Sequence, residues 1–169
     1  MSQFIPLKDL KKGSEIIVNN INSLVETATL LHRQGRYLHS ATFSVLAMEE
    51  MAKLELVSKH CIAGKDLPLV EWNQLTGRGS AHKRKLVKHI MNGIKSTNKA
   101  PPGITMDQIV ELIADYYQRV KLRVFYVNWE RGSGTWQWLA QIYSEKEQEE
   151  VSERFLRSAR AGQERLCKA

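Results

Sequence analysis

The chain has 169 residues, 43% of them hydrophobic, which suits one domain with a core about two helix layers deep, and its net charge is +7. Its two cysteines, Cys61 and Cys167, are too few and too far apart for a disulfide framework or a zinc site. No run approaches the roughly 18 uninterrupted apolar residues of a membrane span. The opening "MSQFIPLKDLKKGSE" lacks the apolar centre of a signal peptide, so the sequence reads as a cytoplasmic protein with free thiols and no membrane partner.

From Glu15 to about Gln34, the residues Ile17, Ile21, Leu24, Ala28 and Leu31 recur at steps of three and four, which predicts a helix with one buried face. Ser14 is placed to cap it and Gly35 to end it. The next run, "RYLHSATFSVLAMEEMAKLELVSKHCIAG", has no proline or interior glycine, and its apolar residues cover most of a helix circumference. It is therefore expected to be the central, most buried helix.

"KDLPLVEWNQLTGRGS" carries Pro68, Gly77 and Gly79 and reads as a connection with a short turn of helix around Trp72. A third long helix is expected from about Ser80 to Ile94, ended by "KSTNKAPPGIT". Thr105 starts a fourth, with Met106, Ile109, Ile113, Tyr116, Tyr117, Val120 and Val124 on its apolar face. "YVNWERGSGTWQW" predicts an aromatic loop or hairpin. "SEKEQEEVSERFLRSARAGQERL" opens on a capping-box pattern, Ser144 with Glu147, and reads as a largely solvated helix. The expected fold is all-α: a single-domain bundle of about five helices over residues 1–169, with its core at about 14–166 and essentially no sheet.

The positive charge is unevenly placed. Between Arg78 and Lys99 there are 7 Lys or Arg and no acidic residue, which leaves 18 of the 25 basic residues to balance 18 acidic ones elsewhere. A concentrated positive field attracts polyanions, so nucleic acid is the first partner class and an acidic protein surface the second. Arg78, Lys83, Arg84 and Lys88 are the candidate RNA-binding residues.

Glu49, Glu50 and Lys53 interrupt the apolar surface of the second helix, with Lys53 one turn from either carboxylate. Taken alone this is an ordinary ion pair at the edge of a core. On a buried helix, however, a carboxylate needs a further cation from a neighbouring element. His82, Lys85 and His89, at i, i+3 and i+7, form one stripe on the third long helix that can face Glu49 and Glu50.

Such a set suits metal-independent RNA cleavage, in which an imidazole takes the proton of a 2′-hydroxyl and Lys or Arg steadies the phosphate charge. The plainer alternative is a pair of solvated histidines on a phosphate-binding helix. His32 and His39 read as capping or surface residues, and Cys61 has only its neighbour His60 as a candidate base. Trp129, Trp136 and Trp138 read as packing residues. No metal or cofactor is expected, and "GRGS" at 77–80 is a weak signal for one phosphate at a helix N-terminus.

The chain also resembles a known family. "LLHRQGRYLHSATFSVLAMEEMAKLELV", then "GSAHKRKL", then "RVFYVNW" before a Trp-containing loop, is similar to the AbiV-type abortive infection proteins. These are bacterial anti-phage proteins placed among the HEPN (higher eukaryotes and prokaryotes nucleotide-binding) helical domains. The resemblance spans roughly residues 15 to 160.

It implies a compact α-helical domain, often dimeric, in which many HEPN members act as metal-independent ribonucleases through an Arg and a His four to six residues apart. Arg84 and His89 in "RKLVKH" have that separation, although Lys85 stands where a small polar residue is usual. His82 with Lys85 fits the AbiV pattern better, with Arg78 as its nearest preceding arginine, so either histidine remains the candidate acid/base. The family-matching polar set is Glu49, Glu50, Lys53, His82 and Lys85.

The expected function is a toxin-like effector that arrests an infected host by acting on RNA, with RNA, a phage-encoded activator and a second copy of the chain as partners. The alternative is a non-enzymatic module that binds RNA or a phage protein and blocks translation.

Overall fold

The computed structural model describes residues 3–77, 81–94, 103–125, 128–130, 135–137 and 142–167. Six helices lie among them: α1 (Leu7–Arg33), α2 (Tyr37–Ile62), the short α3 (Leu69–Thr76), α4 (Ala81–Ile94), α5 (Met106–Phe125) and α6 (Glu145–Cys167). Two minimal antiparallel pairings accompany them. Strand β1 (Phe4–Ile5) pairs with β2 (Leu67–Pro68), and β3 (Asn128–Glu130) pairs with β4 (Thr135–Gln137). The all-α bundle holds, and the aromatic segment forms a hairpin with Trp129 opposite Trp136. Trp138 lies outside the described residues.

α1 and α2 form a helical hairpin. Gly35, at φ +70°, ends α1 in a left-handed turn, its own N–H on His32 O at 3.1 Å and that of Arg36 on Leu31 O at 2.8 Å. These two bonds satisfy carbonyls that a helix end otherwise leaves orphaned.

α1 begins at Leu7, eight residues before Glu15, and Ser14 does not cap it. The Ser14 hydroxyl instead donates to Lys11 O at 2.7 Å inside the helix. The extra turns are held from outside. The Leu7 amide donates to Asp66 Oδ1 at 2.8 Å, and Leu10 packs in a small second core with Leu56, Val57, Leu67 and Leu75. Both partners are about fifty residues or more away, so local sequence signals could not announce this start.

α2 runs through the middle. Ala41, Val45, Met48, Met51 and Ala52 are each at most 1% exposed, joined in the interior by Leu86 of α4, Val120 of α5 and Phe155 of α6. Polar residues of α2 are internally satisfied where they can fold back: Thr42 donates to Leu38 O at 3.0 Å and Ser44 to Ser40 O at 2.9 Å.

The last helix is largely solvated, as expected, and seats one narrow buried stripe. α6 is charged in composition, yet Ser152, Phe155, Leu156, Ala159 and Gly162 form a buried stripe. Three of these five are small residues, so the helix gains its seat by close backbone approach rather than by a broad apolar face. Its N-terminus carries the capping box: the Ser144 amide donates to Glu147 Oε2 at 2.8 Å and the Glu147 amide to Ser144 Oγ at 3.4 Å. The Ser144 bonds hold the Glu147 carboxyl below its ordinary range.

Candidate functional site

Three helices meet at one carboxylate. Glu49, 2% exposed in the middle of α2, accepts from His82 Nδ1 of α4 at 2.6 Å through Oε2 and from Lys121 Nζ of α5 through Oε1. Lys85 Nζ, one turn along α4 from His82, stands 3.6 Å from Oε2. Beside them Lys53 closes on Glu50 at 2.5 Å within α2. Burial is the largest influence on the Lys85 amine and pushes its pKa down, while Glu49 pulls it partly back.

Of the groups on Glu49, His82 is the open one. Its side chain is 52% exposed, against 7% for Lys85 and 6% for Lys121. An ionised carboxylate has no proton to give, so the proton of the His82–Glu49 bond belongs to Nδ1. That leaves Nε2 as the second nitrogen of a ring held in orientation, with no hydrogen-bond partner among the described residues.

His89 does not join this centre. Its Nδ1 lies 3.2 Å from Glu55 Oε1, and Asn92 donates to the other oxygen of Glu55 at 2.5 Å. The Cε1–Nε2 edge of the ring abuts α6, where a Cβ on Gly162 would come within 2.7 Å of His89 Cε1 and 2.9 Å of Nε2. The expectation of one stripe facing Glu49 and Glu50 is corrected for a simple reason. Seven residues of helix span roughly 10 Å, so the two imidazoles need separate carboxylates.

Nor do Arg84 and His89 converge within the chain. Arg84 Nε donates to Gln74 O of α3 at 2.6 Å, away from the α6 side that covers His89.

Lys83, too, is engaged. Lys83 bridges Glu111 at 2.6 Å and Asp115 at 2.9 Å on α5, and the hydrogen bonds to those two carboxylates raise its pKa. Lys88 is half-buried and pushed down by desolvation. Arg78 lies outside the described residues. The basic helix is thus tied to α2, α3 and α5 by much of its charge.

Lys121 escaped the sequence reading. A signal was present, because it follows Tyr117 by one turn on the face of Val120 and Val124, as Glu49 interrupts the apolar α2. His32 turns to Ser152 Oγ at 2.9 Å, and His60 to Asp66 O at 3.0 Å and Glu71 at 3.3 Å, which keeps the His60 ring nitrogens off Cys61. No group of three or more His, Cys, Asp or Glu side chains among the described residues is arranged to hold a metal ion, and no described helix is long and apolar enough to cross a membrane.

The family model HEPN_AbiV, described as AbiV, matches residues 9–160 of the chain. That span includes every residue of the Glu49 centre. Neither the search of curated proteins nor that of solved structures finds a match.

Proposed function

The chain belongs to the AbiV family of HEPN domains, and on that premise we propose that it is an abortive-infection effector acting on RNA as a metal-independent endoribonuclease. The observation that carries the reading is the 2.6 Å bond from His82 Nδ1 to the buried Glu49, which holds a half-exposed imidazole in place. In this scheme Nε2 takes the proton of a ribose 2′-hydroxyl. The 2′-oxygen then attacks the adjacent phosphorus, and the 5′-oxygen departs with a proton, leaving a 2′,3′-cyclic phosphate.

Three ammonium groups, Lys53, Lys85 and Lys121, surround two carboxylates, Glu49 and Glu50, so the centre keeps a net positive charge that favours the growing phosphate charge. The scheme includes a homodimer whose second His82 protonates the leaving oxygen, and a phage-encoded protein that releases activity.

Replacing His82 by Ala tests it, because the side chain is half exposed and Lys85 and Lys121 remain to neutralise Glu49. Expression of the wild type should arrest growth and fragment RNA, while His82→Ala should lower kcat/KM by about 10²- to 10⁴-fold with an unchanged circular dichroism spectrum. Intact RNA in cells arrested by the wild type would sink the mechanism. His89→Ala separates the two histidines: its expected effect is lower stability with the chemistry retained in the folded fraction.

A second reading, a non-enzymatic module that blocks translation by binding, is favoured by one observation. Lys85 and Lys121 lie inside the bundle, as in a structural ion cluster. Under it His82→Ala leaves growth arrest intact.

A further inference from the structure

Much of the charge on α4 is engaged with buried or bridging carboxylates, whereas the arginines between α1 and α6 are held more loosely. A cleft of about 470 Å3 lies between the last turn of α1 and the stretch of α6 from Glu149 to Arg160, with Arg33 on one wall and Arg157 and Arg160 on the other. Among the described residues Arg33 makes no ion pair. Arg160 donates one nitrogen to a neutral acceptor, Thr29 Oγ1, at 3.0 Å.

Two carboxylates share the cleft. Glu153 reaches Arg157 only at 3.7 Å, with the two side chains 57% and 73% exposed. Glu149 stands near Tyr37, whose phenol is pushed up first by burial and then by the nearby Glu149 and Glu145 charges. Three guanidinium groups thus outnumber the two acids that line the cleft. Arg157 and Arg160, at i and i+3, share one face of α6. A guanidinium fork matches phosphate oxygens in a way that an ammonium does not.

We propose that this cleft is a phosphodiester-binding subsite, holding the backbone of the RNA on which the Glu49 centre acts; it rests on that reading of the centre. Tyr37, whose ring packs edge-on against the cleft residue His32, and Glu49 are twelve residues apart on α2, roughly 18 Å. The phosphate held here is therefore well removed from the reacting one. The subsite supplies affinity and position, with no sequence preference.

The test uses the full chain carrying His82→Ala, so that RNA is not cut, and a fluorescein-labelled oligouridylate followed by anisotropy across a salt series. Adding Arg33→Gln and Arg157→Gln, both exposed positions, should weaken binding about tenfold. It should also flatten the slope of log affinity against log salt by about 1.4, since each lost single-strand phosphate contact removes about 0.7. Arg33→Lys with Arg157→Lys should restore most of the slope, and Arg119→Gln with Arg123→Gln on α5 should change neither quantity.

Equal losses from the α5 pair, unchanged binding in the cleft pair, or no RNA binding by the parent chain would each overturn the subsite. The two proposals fail separately. Cleavage by a chain with His82 restored, together with unchanged binding in the cleft pair, removes the subsite and keeps the centre. RNA bound through Arg33 and Arg157 but never cut does the reverse.

Discussion

Inside a helical bundle a carboxylate is tolerated where cations come to it, and Glu49 draws Lys121 from α5 and His82 and Lys85 from α4. Lys121→Met should therefore destabilise the fold by about 3 kcal/mol, because it leaves a buried carboxylate short of a partner. Glu49→Leu should cost a similar amount by stranding two lysines. The double variant should lose less than the sum, with a coupling of about 1–3 kcal/mol in urea unfolding. Additive effects would mean that the two side chains do not act as a pair.

Half of this was legible in the sequence. Glu49 stood out as a charge on an otherwise apolar helix, and the need for a cation from another helix followed from desolvation. Which cation answers was not legible, since periodicity places Lys121 and His89 on faces without saying which carboxylate lies opposite.

At the scale of elements, α6 is largely solvated as its composition predicts, but its seat on the core rests on small residues. Its buried stripe includes Ser152, Ala159 and Gly162, and at Gly162 an added Cβ would meet Met51 Sδ at 2.6 Å and the His89 ring at 2.7 Å. Gly162→Ala raises intrinsic helix propensity by about 1 kcal/mol. Overpacking of a filled core costs roughly 1–3 kcal/mol, and the His89 ring is held by Glu55 on its other side, so the net should be destabilising. A lower thermal midpoint is the expected result, and a raised one would show that α6 can lift without loss. The same logic explains α1, whose first turns are secured by Asp66 and Leu67 and carry little local evidence of their own. Where caps are local, as at Ser144 and Gly35, the sequence placed them.

For the whole molecule, charge arithmetic along the chain and charge in space lead to different surfaces. The basic segment stands out in sequence because its acidic partners are distant in number. Folding returns Glu49, Glu111 and Asp115 to it. Lys83 tests this linkage, because hydrogen bonds to Glu111 and Asp115 raise its folded pKa above the ordinary 10.5. A raised lysine stabilises the fold fully below its unfolded value, and that contribution is lost as pH rises through the folded one. The stability gap between wild type and Lys83→Gln should hence be flat from about pH 6 to about pH 9 and close at higher pH, as read by urea midpoints at matched pH. A gap that closes towards pH 6 would overturn the pairing.

By itself the sequence determined the all-α bundle, the central place of α2, the capping of α6 and the residues worth suspecting. These follow from periodicity, capping chemistry and the cost of burying charge, which act over one or two turns. Only the tertiary structure decided that His82 serves Glu49 while His89 serves Glu55, that Lys121 completes the centre, and that the arginines of α1 and α6 face one cleft. Those outcomes depend on the axial register of helices far apart in the chain. Register is set by how side chains of different size interlock across helix faces, and no window of sequence contains both partners.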